Sequence, residues 1–203
     1  MLLVAGDSFT AQGPHLNWYD HLFTIKPKLN LASNGAGNFY IAQSIKAMVH
    51  ANDSIKAVAV MWSEMDRLDE TSVHPKTKYY SNLSGLTWNH YGNMASGEGK
   101  HTWKELGYDH IVEKNVKEIT EAIDLLKEKN IPFLHTFIYD SELITGYIRQ
   151  RAVWPFIGDY AKKQNLLAED SFHPNADCHK AWAEQIKAQA VDIFGNLNII
   201  KIN

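Results

Sequence analysis

Residues 57–62, Ala-Val-Ala-Val-Met-Trp, form an unbroken apolar run of strand length. A strand that is apolar on both faces must be covered on both, which calls for helical layers above and below a mostly parallel sheet. The rest of the chain supplies such layers. Residues 2–5, 29–32 and 131–138 read as further strands, and 166–167 as a short fifth. Between them, apolar residues recur at helical spacing: Ile41, Ile45 and Met48; then Ile111, Val116, Ile119, Ile123 and Leu126; then Trp182, Ile186, Ala190 and Ile193. These predict helices over about 39–50, 110–129 and 176–194. Two more are expected at about 8–24 and 142–164, the second interrupted near Pro155. The alternation predicts an α/β fold, with one mainly parallel sheet of about five strands between two helical layers. A chain of 203 residues is long enough for one such domain with a full core, spanning 1–203.

Residues 66–104 break the rhythm. They show little periodicity and carry Tyr79, Tyr80, Trp88, Tyr91 and Trp103. The segment reads as an insertion leaving the end of the third strand, and inserted loops of this length are usually lids or binding loops. In a sheet of this kind, ligands sit beyond the carboxyl ends of the strands. The residues expected there are Gly6-Asp7-Ser8, the turn 34–38, the stretch 63–67, and Tyr139-Asp140. The loop 170–173 is placed to return to the same edge.

Those ends carry chemistry. Ser8 follows a strand at a turn, where its own N–H can donate to a developing oxyanion; Gly6 permits the turn, and Asp7 can bond to nearby amides. A serine hydroxyl needs a base to take its proton, and a neutral imidazole suits that task. His173 supplies one. Asp170, three residues earlier, can hold the other ring nitrogen, and Pro174 keeps His173 in extended backbone. Asn175 is placed to cap the last helix. Taken alone, each cluster could equally be a helix cap.

Gly6-Asp7-Ser8-Phe9 and Asp170-x-x-His173-Pro174 resemble the first and last sequence blocks of the SGNH/GDSL hydrolases, a superfamily of esterases, lipases and carbohydrate deacetylases. Asn30-Leu31-Ala32-Ser33-Asn34-Gly35 resembles the second block. The resemblance spans nearly the whole chain and implies a three-layer, flavodoxin-like α/β/α fold with no cofactor and no metal. It also implies Ser8, His173 and Asp170 as nucleophile, base and acid, with the N–H groups of Ser8 and Gly35 forming the oxyanion hole. The third block departs from the pattern. Met65 stands where the superfamily has an asparagine whose side chain donates to the oxyanion, in Trp62-Ser63-Glu64-Met65-Asp66-Arg67. Ser63, Asn34 and Asn38 are the candidates to donate in its place. Asp7, Trp62, Glu64, Arg67 and Trp88 are candidates to touch substrate.

The expected function is hydrolysis of a small acyl ester through an acyl-enzyme on Ser8, with an O-acetylated saccharide as the specific expectation. Acyl transfer to a sugar hydroxyl, or a non-catalytic carbohydrate-binding or structural module, are the alternatives. The net charge of −3 gives no electrostatic case for nucleic acid or anionic membrane as a partner. No apolar run approaches a membrane span, and residues 1–5 lack the basic start of a secretory leader. The single cysteine, Cys178, has no internal disulfide partner. A cytoplasmic location is therefore expected, and a phage or virion origin fits equally. His173 and His179 lack the spacing of a metal pair, and no Gly-x-Gly-x-x-Gly or Walker pattern is present.

Overall fold

The structure is a computed structural model and describes residues 1–11, 13, 15–77, 80–83, 85–91, 105–197 and 200. Four strands, β1 (Leu2–Ala5), β2 (Lys28–Asn30), β3 (Ala57–Trp62) and β7 (Phe133–Phe137), form a parallel sheet in the order β2-β1-β3-β7. Strands β1 and β3 are buried along their whole length. Their side chains alternate between two cores, as the two-residue period of a strand requires. Leu2, Val4, Ala57, Ala59 and Met61 face helices α1 (Trp18–Leu22), α5 (Ile157–Gln164) and α6 (Ala176–Phe194). Leu3, Ala5, Val58, Val60 and Trp62 face α2 (Asn38–Ala51) and α3 (Tyr108–Glu128). The helix α4 (Gly146–Arg149) is a single turn. This is the three-layer α/β/α arrangement that the apolar runs predict.

Several elements differ from the sequence expectation. The chain after Ser8 makes one tight turn, with Thr10 N–H and Ala11 N–H both donating to the Asp7 carbonyl (3.0 and 2.8 Å). Helix α1 starts only at Trp18, so Ser8 sits in a turn and not at the start of that helix. Residues 166–167 add no fifth strand. Leu167 makes an isolated bridge with Pro174, which ties the 170–173 loop to the end of α5. The helical region expected at 142–164 is split into α4 and α5 around Pro155, which follows a cis peptide bond.

The segment 66–104 is not a featureless loop. Strands β4 (Asp69–Ser72), β5 (Tyr80–Leu83) and β6 (Leu86–His90) form a separate antiparallel sheet in the order β4-β6-β5. Polar residues dominate these strands, which hides them from apolar periodicity. Tyr79, Trp103 and the remainder of the segment at 92–104 lie outside the described residues.

The last helix matches its expected span, 176–194, and Asn175 caps it by accepting Cys178 N–H at 2.9 Å. Asn175→Ala is expected to cost about 1 kcal/mol, which for a chain of this size lowers the thermal midpoint by roughly 2–4 °C. Calorimetry checks this, and an unchanged midpoint would refute the cap.

Candidate active site

Strands β1 and β3 are in register, with Val4 opposite Ala59 and Ala5 opposite Val60. Their carboxyl ends therefore emerge side by side, at the point where strand order reverses. Gly6 leaves β1 there with no room for a side chain: an added Cβ would lie 2.7 Å from Thr10 Oγ1 and 3.1 Å from the Met61 carbonyl oxygen. Close approach, rather than a special backbone angle, is what Gly6 provides.

Ser8 Oγ lies 2.9 Å from His173 Nε2, across 165 residues of chain. His173 Nδ1 lies 2.5 Å from Asp170 Oδ2. The other Asp170 oxygen accepts the backbone N–H groups of Phe172 and His173, each at 2.9 Å. Ser171 adopts φ +58° to close this loop, a conformation that Asn, Asp and Gly tolerate better than most residues. The hydrogen bonds from the His173 backbone and ring, then from Phe172 N–H, hold the Asp170 carboxyl down at about 2. It is ionised across the physiological range and accepts the Nδ1–H of His173, leaving Nε2 free to act as a base toward Ser8. Phe9 and Phe172 flank the imidazole at ring-centre distances of 5.2 and 5.1 Å.

The turn 33–36 lies beside Ser8. Ala36 N–H donates to the Ser33 carbonyl at 3.1 Å, Gly35 has φ +77°, and Ser33 N–H donates to the Gly6 carbonyl at 3.1 Å. The positive φ is that of the third residue of a type II turn, which suits glycine. Among the described residues neither Ser8 N–H nor Gly35 N–H has an acceptor. Both are free to donate to an oxyanion.

The three proposed substitutes for the missing asparagine behave differently. Asn38 is fully buried and spent on structure: its amide donates to the carbonyls of Ser63 and Glu64 (3.3 and 3.2 Å), and its Oδ1 accepts Ser63 N–H at 2.8 Å. It holds the β3 exit loop and has no donor left for a substrate. Ser63 is buried, with its hydroxyl 3.4 Å from Asp7 Oδ2. Asn34 is exposed at the tip of the turn. Met65 itself is buried, and its sulfur lies 3.8 Å from the Asn38 amide nitrogen.

The candidate substrate contacts are also sorted by burial. Trp62 lies in the core and donates to His135 Nδ1 at 3.3 Å. Trp88 packs against Phe39 and Tyr40. Neither ring reaches the surface, so neither can stack on a substrate. Asp7 is wholly buried and acts on the Ser8 turn from beneath, accepting Phe9 N–H at 3.0 Å. Arg67 lies 3.6 Å from Asp7 and 3.0 Å from Glu64, and the Glu64 side chain is 21% exposed. Of the five, Glu64 is the one best placed to meet solvent or ligand.

Other side chains are quiet, as expected of packed residues. Burial pushes the His135 imidazole down to about 3 and the Cys178 thiol up to about 12. His90 is a different matter. It lies in the insertion, yet it is fully buried with Nδ1 2.8 Å from Asp69. Its partners come from antiparallel pairing that apolar periodicity does not reveal. Among the described residues no group of three or more His, Cys, Asp or Glu side chains could hold a metal ion, and no helix is long and apolar enough to cross a membrane.

This fold has known counterparts. Over 96% of each chain, the structure is similar to the psychrotrophic esterase EstA from Pseudoalteromonas sp., solved with monoethylphosphonate as inhibitor, at 15% identity and a TM-score of 0.50. It is also similar to a carbohydrate esterase family 3 protein from Talaromyces cellulolyticus, at 12% identity and a TM-score of 0.51, over 97% of this chain and 99% of that one. The fold is that of the SGNH hydrolases. No family profile matches the chain, and no curated protein matches it in sequence. The similarity is thus carried by the fold.

Burial raises the Asp7 carboxyl from 3.8 to about 6, with Arg67 and the Phe9 N–H opposing the shift. The native state then holds a proton that the unfolded chain releases, so this group's contribution to stability falls as pH rises from about 4 to 6. Asp7→Asn removes that slope. Relative to wild type, the variant should gain on the order of 3 kcal/mol between pH 4 and pH 7, measured by urea unfolding. Parallel pH profiles in the two proteins would show that Asp7 is not the group responsible.

Proposed function

We propose that the chain is a serine ester hydrolase acting through an acyl-enzyme on Ser8. The observation that carries this reading is the hydrogen-bonded line from Ser8 Oγ through His173 to Asp170. Three side chains from the two ends of the sequence meet there in the order nucleophile, base and orienting acid. In the proposed reaction the Ser8 hydroxyl gives its proton to His173 Nε2 as Oγ attacks the ester carbonyl. Asp170 steadies the imidazolium that forms. The Ser8 and Gly35 N–H groups donate to the carbonyl oxygen as it becomes an oxyanion. His173 then protonates the departing alcohol, and water attacks the acyl-enzyme by the same route.

For the third oxyanion donor of related folds, Ser63 and Asn34 remain the candidate side chains. Asn38 is engaged elsewhere and Met65 cannot donate. Loss of one such donor costs roughly 10²–10³ in rate where it has been measured, so a slow or strongly substrate-dependent enzyme is the expectation. The cavity of about 240 Å³ beside the β3 and β7 exits is lined by Ser63, Glu64, Tyr139, Phe137 and Ile144, among others. An O-acetylated saccharide is the substrate class we favour, supported by the carbohydrate esterase among the structural neighbours. The burial of Trp88 removes the stacking argument for a sugar at that residue.

Hydrolysis of p-nitrophenyl acetate and of acetylated xylose near pH 8 tests the proposal. Ser8→Ala should lower kcat by at least about 10³-fold, and Asp170→Asn by about 10⁴-fold through the wrong histidine tautomer. Rates equal to wild type in both variants would exclude Ser8 catalysis and favour a binding module.

A further inference from the structure

A second line of serine, histidine and aspartate lies behind the turn that carries Gly35. Asp69 and His90 face each other across β4 and β6, and Ser81 on β5 is opposite Trp88, one diagonal step from His90. All three point to the same face of the small sheet, because residues opposite each other, and residues two apart, share a face. His90 Nδ1 lies 2.8 Å from Asp69 Oδ1, and His90 Nε2 lies 3.0 Å from Ser81 Oγ. The line then continues, since Ser81 Oγ lies 2.5 Å from Ser33 Oγ.

We propose that Asp69, His90 and Ser81 form a buried positioning array that sets the Gly35 turn for the Ser8 reaction. The inference rests on the Ser8 esterase reading. The array grips the turn from both sides. On one side it ends at Ser33, the first residue of the turn, whose N–H is tied to Gly6 and so to the Ser8 strand. On the other, Asp69 accepts Gly37 N–H at 2.9 Å and Tyr40 N–H at 2.8 Å. Helix α2 has no cap of its own at Gly37, so a carboxylate from the inserted sheet satisfies its first donors. Gly35 is suspended between these two anchors, and both belong to one hydrogen-bonded unit.

The array is built to position rather than to react. The side chains of His90 and Asp69 are fully buried. The Ser81 hydroxyl is committed to His90 and Ser33. Asp69 holds His90 at Nδ1, 2.8 Å away. That fixes the ring and orients the two hydroxyls beyond it. Oxyanion donors act through exact placement, because a displaced N–H meets the ground-state carbonyl as well as the transition state. The array therefore governs kcat more than KM.

Ser81→Ala and Ser33→Ala cut the line at adjacent links, and Ser81→Thr restores its hydroxyl. Each alanine variant should lower kcat on p-nitrophenyl acetate by about 10-fold or more with KM within about two-fold of wild type. The double variant should be no slower than either single one, as for groups acting as a unit. Ser81→Thr should recover most of the rate. The Gly35 amide resonance, followed in ¹⁵N-labelled protein, should move in Ser81→Ala and return in Ser81→Thr. Unchanged kcat and an unmoved Gly35 resonance in Ser81→Ala would overturn the proposal. So would a fluorophosphonate adduct on Ser81 in Ser8→Ala protein, which would make Ser81 a nucleophile. A wild type that hydrolyses no ester would overturn the Ser8 reading instead. The Gly35 resonance would then decide the array by itself, upholding it by movement and refuting it by none.

Discussion

The parallel pairing of β1 with β3 is the constraint on which the site depends. Both strands are buried throughout, so every backbone group must be satisfied within the sheet, and every side chain must fit one of the two cores. A slip of one residue would exchange the two faces of a strand. The register is thereby fixed, and with it the relative position of the two loops that leave the strands. Gly6, pressed against Thr10 and the Met61 carbonyl, allows the first loop to turn within this space. The buried Asp7 carboxyl then joins the loops, touching Phe9 N–H on one side and Ser63 and Arg67 on the other.

The β3 exit is where the chain departs furthest from the sequence pattern it resembles. Met65 stands where that pattern has a donating asparagine, and it is buried. In its neighbourhood Asn38, brought in at the start of α2, makes three bonds to the backbone of residues 63 and 64. Arg67 makes an ion pair with Glu64 and stands close to Asp7. These contacts tie the loop to α2 and to the Ser8 turn. In the proposed mechanism the free N–H groups of Ser8 and Gly35 carry the oxyanion chemistry instead, which gives the placement of Gly35 unusual weight.

Much of this was legible before the structure. Strands 2–5 and 57–62 and the helix 176–194 match their expected bounds, because burial on both faces or on one stripe leaves a direct mark on residue order. The meeting of Ser8 with Asp170 and His173 was legible as well, since topology brings those loops to one edge. What was not legible depended on long-range polar contacts. Strands β4–β6 are rich in Asp, Thr, Ser and Asn and show no apolar alternation. Trp88, expected to touch substrate, and His90 beside it in the insertion are both buried for that reason. Once the small sheet forms, these residues turn inward onto α2. The same pairing assembles Asp69, His90 and Ser81, which no sequence spacing suggests. The helix expected at Ser8 failed because Asn17, not Asp7, marks the start of α1.

Active-site labelling tests the central claim most directly. The protein, its Ser8→Ala variant and its His173→Ala variant would each be treated with a fluorophosphonate, digested and mapped by mass spectrometry. The Ser8 mechanism requires one phosphonylated peptide in the wild type, modified at Ser8, absent in Ser8→Ala and formed far more slowly in His173→Ala. A wild type left unlabelled, or labelled at another residue with Ser8 intact, would contradict it.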